Sequence, residues 1–421
     1  MKKTMKQHSF TAQLKSLALV FGIALTFASC ANEDVAQNPT NPNDDNDKNL
    51  TTFVAGDEAK TRTSLDYNSS DFYWEAGDYI YVKDDNNVLR KSTNAPTSKV
   101  ASFKYKVPGK FTVSSSYKVY YLGKNSSGNS VTISTAQSQT APDNTEHFGT
   151  AGDYGTVTAT KVTGKNQFAF ELEHHPAYLV FQPYISNTIL QSCYLTKVEV
   201  SSDNDIAETY TVNTSTGALT GSAGSKQIIL TTSGSSTNPN GFPLTNNAAS
   251  VTTNGAYMVI KPGTHTLKVR YWVKDVATNV EGAITKTLPA TAYASNTYYD
   301  MTANLNVRNY DGDKYYMWDA QEQYWKGHEW NLGGSQPTLS QGLTGATTAN
   351  DYAKSNADSR YNNEYYPGSG VSNPATHSSC KDLPNANEMS WYCMYGDPRW
   401  DGDELWTTMG HLYKGGMWFK K

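Results

Sequence analysis

Charge, recognisable catalytic motifs and long apolar runs are all scarce in this chain of 421 residues. Charged residues make up 18%, below the usual quarter, and the formal net charge of −4 gives no basic footprint for nucleic acid. The sequence contains neither the nucleophile motif G-x-S-x-G nor the phosphate-binding motif G-x-x-x-x-G-K. We therefore expect no nucleic-acid partner, no cofactor and no enzymatic activity.

Residues that favour strands fill the chain instead. Aromatic residues make up 12%, with 29 Tyr, whereas disordered chains are poor in them. Residues 266–273 alternate apolar and polar side chains, the pattern of a half-buried strand, and they follow the apolar run 257–260. The turn between them contains Pro262 and Gly263, so we predict a hairpin.

Many short strands separated by polar turns predict a mainly β fold of antiparallel β-sandwiches. The strand-like region, residues 51–307, exceeds what one sandwich of about 100 residues needs. We predict two sandwich domains, over residues 51–163 and 164–307.

The amino terminus carries a candidate export signal over residues 1–29. Basic residues precede the apolar run 17–27, which is too short to span roughly 30 Å of hydrocarbon as a helix. Small residues then lead to Cys30, an order that resembles a bacterial lipobox and implies lipidation of Cys30. The alternative is an ordinary signal peptide with a chance cysteine. No later segment is apolar enough to cross a membrane, so the lipid would be the only anchor.

Residues 30–50 are polar and cannot bury a core, so we predict a flexible tether. The acidic pair Glu33 and Asp34 resembles the export signal of surface-exposed Bacteroidota lipoproteins. That resemblance implies an outer-membrane lipoprotein on the cell surface. The alternative is that a tether is simply polar.

Tryptophan concentrates beyond residue 307, where seven of the nine lie. We predict a Trp-rich α+β domain over residues 308–421, with one helix that opens at Pro384, is capped by Asn385 and closes at Gly396. Exposed Trp rings can stack on the apolar faces of sugars. The alternative is that they form the core of a small domain. The candidate ligand-binding residues are Trp325, Trp330, Trp400 and Trp406.

Three cysteines remain if Cys30 is lipidated, and an odd number cannot all pair within the chain. Cys380 and Cys393 lie close in sequence and could form one disulfide in an oxidising compartment. The alternative is that these two and Cys193 are buried thiols. No set of residues has the spacing of a metal site, and we predict none.

Several motifs resemble the fimbrillin-like (Mfa-like) pilin family of Bacteroidota. Residues 61–64 (TRTS) precede the W-x-x-G-D sequence at 74–78, followed by FELEH at 170–174, AYLVF at 177–181 and the strand and turn at 257–263. The resemblance covers the region predicted as two sandwiches. It implies two transthyretin-like domains in an exported lipoprotein that can polymerise into a pilus.

The resemblance also implies a route to assembly. A protease removes the first strand, an apolar groove opens, and the terminal strand of another pilin subunit fills it by strand addition. Lys60 and Arg62 are the sites for a trypsin-like cut, and we predict Arg62. The alternative is that the TRT segment simply begins the fold.

The carboxy-terminal region resembles a different family. Residues 382–385 (DLPN), with Glu388 and Tyr392, are similar to the LP-x-x-x-E helix of C-type-lectin-like domains related to formylglycine-generating enzymes. Such a fold normally continues beyond the position of Lys421, so we expect a domain that is abbreviated or cut short.

Together these features predict a surface lipoprotein that acts in adhesion as a tip or accessory pilus subunit, because a bulky domain occupies the end from which a stalk subunit would donate its strand. The alternative is a non-polymerising surface lipoprotein that binds host or dietary glycans. A third reading is an enzyme that uses the carboxy-terminal domain.

Overall fold

The computed structural model describes residues 7–9, 49–56, 64–67, 72–126, 128–186, 189–213, 215–309, 315–319, 324–325, 399–408 and 410–420. The chain divides into two compact units. The first contains Met1–Ser186, Tyr194–Val273 and Ile284–Asn304, and the second contains Asn187–Cys193, Lys274–Ala283 and Leu305–Lys421. Among the described residues, no helix is long and apolar enough to span a membrane.

The first sheet of the larger unit has eight strands in the described chain. Their spatial order is β6, β5, β8, β11, β12, β2, β7, with β13 beside β11. A short hairpin of β3 and β4 accompanies them. The bounds are β2 (Leu50–Ala55), β3 (Ser64–Leu65), β4 (Phe72–Tyr73), β5 (Ile80–Lys83), β6 (Leu89–Lys91), β7 (Phe103–Pro108), β8 (Ser116–Tyr121), β11 (Gly155–Lys161), β12 (Gln167–Phe170) and β13 (Glu173–His174).

Trp74 lies at the centre of the core of this sheet. Its side chain is fully buried, and its ring meets those of Tyr105, Tyr121 and Phe170 edge-on at 5.3, 5.8 and 6.4 Å. Edge-to-face packing of this kind adds to the burial of aromatic surface. The first residue of the W-x-x-G-D motif is therefore a core residue.

The rest of that motif builds the turn that leads into β5. Gly77 adopts a φ of +82°, which glycine tolerates without strain. Asp78 is fully buried and accepts hydrogen bonds from the Glu75 amide at 2.6 Å and the Tyr121 hydroxyl at 3.0 Å. A buried carboxylate needs such donors, so the motif fixes the turn to the core.

Three further sheets make up the rest of the larger unit. Their orders are β1-β23-β14-β20, β10-β18-β15-β21-β22 with β19 beside β15, and β17-β16-β9. The bounds are β1 (Gln7–Ser9), β9 (Ser130–Thr132), β10 (Ala136–Ser138), β14 (Ala177–Tyr184), β15 (Cys193–Ser202), β16 (Ala207–Val212), β17 (Leu219–Ser225), β18 (Gln227–Thr231), β19 (Phe242–Pro243), β20 (Ala256–Ile260), β21 (Gly263–Asp275), β22 (Glu281–Tyr293), β23 (Thr297–Asn304), α1 (Phe148–Ala151) and α2 (Val251–Asn254).

The mainly β fold is confirmed, with one difference in strand direction. Most pairs are antiparallel, but in the larger unit β2 with β12, β10 with β18 and β14 with β23 run parallel. Parallel strands are usually covered on both faces and read as continuous apolar runs. The sequence AYLVF of β14 is such a run, and all five of its residues are buried.

Two sequence predictions about connections are wrong. The predicted hairpin does not form, because β20 and β21 belong to different sheets and the turn at Pro262 carries the chain from one sheet to the other. The predicted boundary at residue 163 falls too early. Phe168 and Phe170 lie in the core of the first sheet, and β10, from the first half of the chain, pairs with β18.

The second unit contains a sheet of five strands among the described residues, in the order β24, β27, β28, β25, β26. The bounds are β24 (Arg308–Asn309), β25 (Tyr315–Asp319), β26 (Tyr324–Trp325), β27 (Arg399–Thr408) and β28 (His411–Lys420). The predicted Trp-rich α+β domain over residues 308–421 stays a prediction. The predicted helix between Pro384 and Gly396 lies outside the described residues.

Candidate functional site

The strand β2 occupies an interior place in the first sheet although it precedes the other strands of that sheet in sequence. On one side it runs parallel to β12, from Thr52 opposite Gln167 to Ala55 opposite Phe170. On the other side it runs antiparallel to β7, from Leu50 opposite Pro108 to Ala55 opposite Phe103. Both hydrogen-bonding edges of β2 are therefore used.

The side chains of β2 alternate between the core and the outer face of the sheet. Thr51, Phe53 and Ala55 are buried, whereas Leu50, Thr52 and Val54 are half-buried. This is the period-two pattern of a strand with one face on a core.

Phe53 is the large side chain that β2 contributes to the core. It is fully buried, and its ring stacks on Phe168 at 5.2 Å and meets Phe111 edge-on at 5.2 Å. Full burial of a phenylalanine contributes about 1.5–3 kcal/mol. Phe53 thus fills a socket whose walls come from β12 and from the loop after β7.

The chain leaves β2 at Gly56 and is next described at Ser64. The predicted processing residues Lys60 and Arg62 lie between these points, outside the described residues. A cut at either position would remove the covalent link between β2 and the rest of its sheet. Only hydrogen bonds and apolar contacts would then retain the strand.

The segment after the predicted cut is fixed separately. Tyr67 donates a hydrogen bond to Asp300 Oδ1 at 2.9 Å, and Gln182 Nε2 donates to the same oxygen at 2.8 Å. The Tyr67 ring lies 5.6 Å from that of Tyr298. Burial and the hydrogen bond to Asp300 raise the pKa of Tyr67 to about 12, so the hydroxyl stays protonated at neutral pH.

Sequence reasoning missed Tyr67, and it also missed Asp153. This aspartate is fully buried, accepts a hydrogen bond from the Tyr178 hydroxyl at 2.7 Å and lies 3.0 Å from His174 Nδ1. His174 is the last residue of β13, which pairs with β11 in the first sheet, and Tyr178 belongs to β14. The cluster therefore joins the first sheet to the sheet that contains β14. The FELEH and AYLVF motifs marked both partners, but nothing in the sequence marked the aspartate.

Trp406 was predicted to bind ligand, and its position contradicts that role. It is 1% exposed, its Nε1 donates to the Gly415 carbonyl at 2.6 Å, and its ring stacks on Tyr413 at 4.6 Å. A ring covered in this way cannot stack on a sugar. Trp406 is a core residue of the second unit.

The other predicted ligand-binding residues are only partly covered by the structure. Trp325 lies opposite Trp318 in the pairing of β26 with β25, and Trp400 lies opposite Met417 in the pairing of β27 with β28. The side chains of Trp325 and Trp400 lie outside the described part of the chain, as does the whole of Trp330. The predicted glycan platform stays a prediction.

Of the four cysteines, the structure describes one. Cys193 is a buried free thiol, and burial, with a contribution from the Asp275 carboxylate, raises its pKa to about 12. Cys30, Cys380 and Cys393 lie outside the described residues, so lipidation and the disulfide stay predictions. Within the described part of the chain, no cluster of three or more His, Cys, Asp or Glu could hold a metal ion.

No protein-family model matches the chain, and no curated protein matches it. Solved structures do. A candidate cell adhesion protein from Bacteroides ovatus is similar at 12% identity and a TM-score of 0.37, over 61% of this chain and 92% of that one. A candidate cell adhesion protein from Bacteroides uniformis is similar at 18% identity and a TM-score of 0.34, over 61% and 93%.

The fimbrial anchor protein Mfa2 from Porphyromonas gingivalis is similar at 11% identity and a TM-score of 0.26, over 57% of this chain and 83% of that one. The similar structures are thus fimbrial and candidate cell adhesion proteins, the kind of protein that the sequence motifs resemble. Because all three TM-scores lie below 0.5, we argue the function from this chain's own residues.

Proposed function

We propose that this protein is a cell-surface adhesion subunit that joins a fimbria by strand complementation. The observation that carries the proposal is the place of β2. It comes before the other strands of its sheet in sequence, lies between β12 and β7, and fills the Phe53 socket. The proposal gives the protein a binding and structural role and no catalytic one.

Removal of β2 would leave an empty strand position between β12 and β7, which we call the slot. The inward edges of β12 and β7 would lose their backbone partners, and the socket lined by Phe111 and Phe168 would open to water. Unpaired strand edges and exposed apolar surface are both unfavourable. A strand from another subunit with a large apolar residue at the Phe53 position would restore both sets of contacts.

The order of features along the chain supports control by a single cut. The predicted lipid on Cys30 and the tether 30–50 precede β2, and Arg62 follows it. One cut at Arg62 would therefore break the covalent link from the folded body to both β2 and the membrane anchor, and departure of β2 would then free the slot. Because Tyr67 binds Asp300, the new amino terminus would stay folded against the body.

We place the subunit at the tip or in an accessory position. A donor strand must be free to leave its own subunit, whereas β28 pairs on both sides within the second unit, with β27 and with β25. The outer membrane, with export to a fimbria after cleavage, is the proposed location. Other fimbrial subunits are the proposed partners.

The experiment compares surface-expressed wild type with a Lys60→Ala/Arg62→Ala variant, and uses Lys110→Ala as the matched control for loss of an exposed lysine. We expect immunogold label at one end of fimbriae for wild type and control, and label on the cell surface alone for the double variant. Equal incorporation of the double variant would overturn processing at this site. Label repeated along the filament would overturn the tip or accessory position.

A further inference from the structure

The outer face of the first sheet, opposite the core, contains a groove. One row of residues crosses four strands there. Thr160 of β11 lies opposite Ala169 of β12, Ala169 lies beside Val54 of β2, and Val54 lies opposite Lys104 of β7. Neighbouring strands are about 4.8 Å apart, so the row is roughly 14 Å long. Ala169 is the smallest side chain in this row.

The cavity over this row has a volume of about 570 Å³. Pockets that hold small molecules span about 300–1,000 Å³, so the groove could seat two or three sugar rings. The apolar part of its lining, which we call the floor, comes from Val54, Val162, Ala169 and Phe170. Sugars present apolar C–H faces to surfaces of this kind.

The rim of the groove supplies polar and charged groups. Thr158, Thr160 and Gln167 contribute hydroxyl and amide groups that can both donate and accept hydrogen bonds. Lys104 lies on one side and Lys165 on the other, both exposed, and Glu171 is the single carboxylate among the lining residues. Across the described chain, no ion pair involves either lysine ammonium. The groove therefore has a net positive charge and two ammonium groups that can bind an anion.

We propose that this groove binds a short acidic oligosaccharide, of the uronic-acid class. The apolar floor matches the C–H face of the sugar rings, and the hydroxyl and amide rim matches their hydroxyl groups. The two lysine ammonium groups, on opposite sides of the groove, match carboxylates on the two end rings of a three-ring segment. Charge-assisted hydrogen bonds of this type are roughly twice as strong as neutral ones.

Val54 links the groove to β2. It belongs to the strand that would leave on processing, so part of the apolar floor, between Ala169 and Lys104, would leave with it. This step rests on the proposed function. The unprocessed chain would then bind the acidic glycan, and the processed chain would not. Binding would be restored only when an incoming strand supplied a small apolar residue at the Val54 position.

The test titrates tetragalacturonic acid into the purified full chain by calorimetry, with maltotetraose as the neutral probe. We expect saturable binding of the acidic probe alone. Lys104→Gln/Lys165→Gln should weaken it about tenfold or more, because two charged contacts are lost. Lys268→Gln, an exposed lysine on β21 of another sheet, should leave it unchanged. Ala169→Trp should abolish binding by filling the groove, with circular dichroism to confirm folding.

Equal binding of the two probes, or full binding by the lysine double variant, would overturn the inference even if Ala169→Trp does not fold.

A separate arm repeats the titration after trypsin treatment and removal of the strand β2. Loss of acidic-probe binding supports the link through Val54. Binding that persists after confirmed loss of residues 50–55 overturns that link. A chain that trypsin does not cut at Lys60 or Arg62 overturns the proposed processing and leaves the binding result standing.

Discussion

The strands β2 and β14 occupy the same kind of place in their sheets but differ in how they are held. Each lies between a parallel and an antiparallel neighbour. β14 is buried along almost its whole length and is continuous with the chain at both ends, whereas β2 buries alternate residues and precedes a predicted cleavage site. Because β2 buries only one large side chain, Phe53, a replacement strand needs only one large apolar residue at that position. The proposed strand exchange therefore concerns the first sheet and not the sheet of β14.

The largest expected effect is in β14. Phe181 is fully buried, and its ring meets that of Tyr271 edge-on at 6.1 Å. Phe181→Ala should lower the free energy of unfolding by about 3–5 kcal/mol, through lost burial and the cavity left behind. Denaturant titrations should give the same loss in intact and trypsin-treated protein. A loss that changed on processing would mean that β14 depends on β2.

Phe53→Ala should behave differently. In the intact chain we expect a loss of about 3–4 kcal/mol, since the socket formed by Phe111 and Phe168 empties. In processed protein from which β2 has been removed, wild type and variant are the same molecule and should unfold identically. A difference that survives processing would show that residues 50–55 remain bound, contrary to the account.

Tyr67→Phe removes the hydrogen bond to Asp300 and should cost about 0.5–1.5 kcal/mol in either form. The folded state raises the pKa of Tyr67 from 10.0 to about 12, so folding favours the protonated hydroxyl. The contribution is therefore complete below pH 10 and is lost as the pH rises from 10 to about 12. Unfolding at several pH values should show the advantage of wild type over the variant shrinking in that window. An unchanged advantage above pH 12 would contradict the assigned hydrogen bond.

The smallest expected effect is on the outer face of β2. Lys106 Nζ donates to Thr52 Oγ1 at 3.1 Å in a partly buried position. Lys106→Met should change the free energy of unfolding by less than about 0.5 kcal/mol, as for most surface substitutions. A cost comparable to that of Phe53→Ala would show that the outer contacts hold β2 as firmly as its core contacts.

The sequence predicted the elements better than their arrangement. Alternation and apolar runs located β14, β20 and β21, and the W-x-x-G-D motif marked the turn before β5, because these signals are local. The hairpin failed because Pro262 and Gly263 suit a turn between two sheets as well as one within a sheet. The boundary failed because the partners of Phe168, Phe53 among them, are distant in sequence.

The site was predictable only in part. The predicted cleavage site at Arg62 came from a motif, and the interior place of β2 required the structure. Tyr67 was invisible because its partner Asp300 is 233 positions away, and a tyrosine in a polar loop carries no signal of such a contact. Trp406 was misread because a buried tryptophan and a sugar-binding one look alike in sequence.

The most direct test of the account asks whether the slot of β2 opens and refills. A fluorescent peptide with the sequence of residues 49–56 is titrated into intact and trypsin-treated protein, and its anisotropy is measured, with a peptide carrying Phe53→Asp as the control. The account predicts saturable binding of the wild-type peptide to the processed protein alone, and no binding of the control peptide. Equal binding to intact protein, or no binding to protein shown by mass spectrometry to have lost residues 50–55, would contradict it.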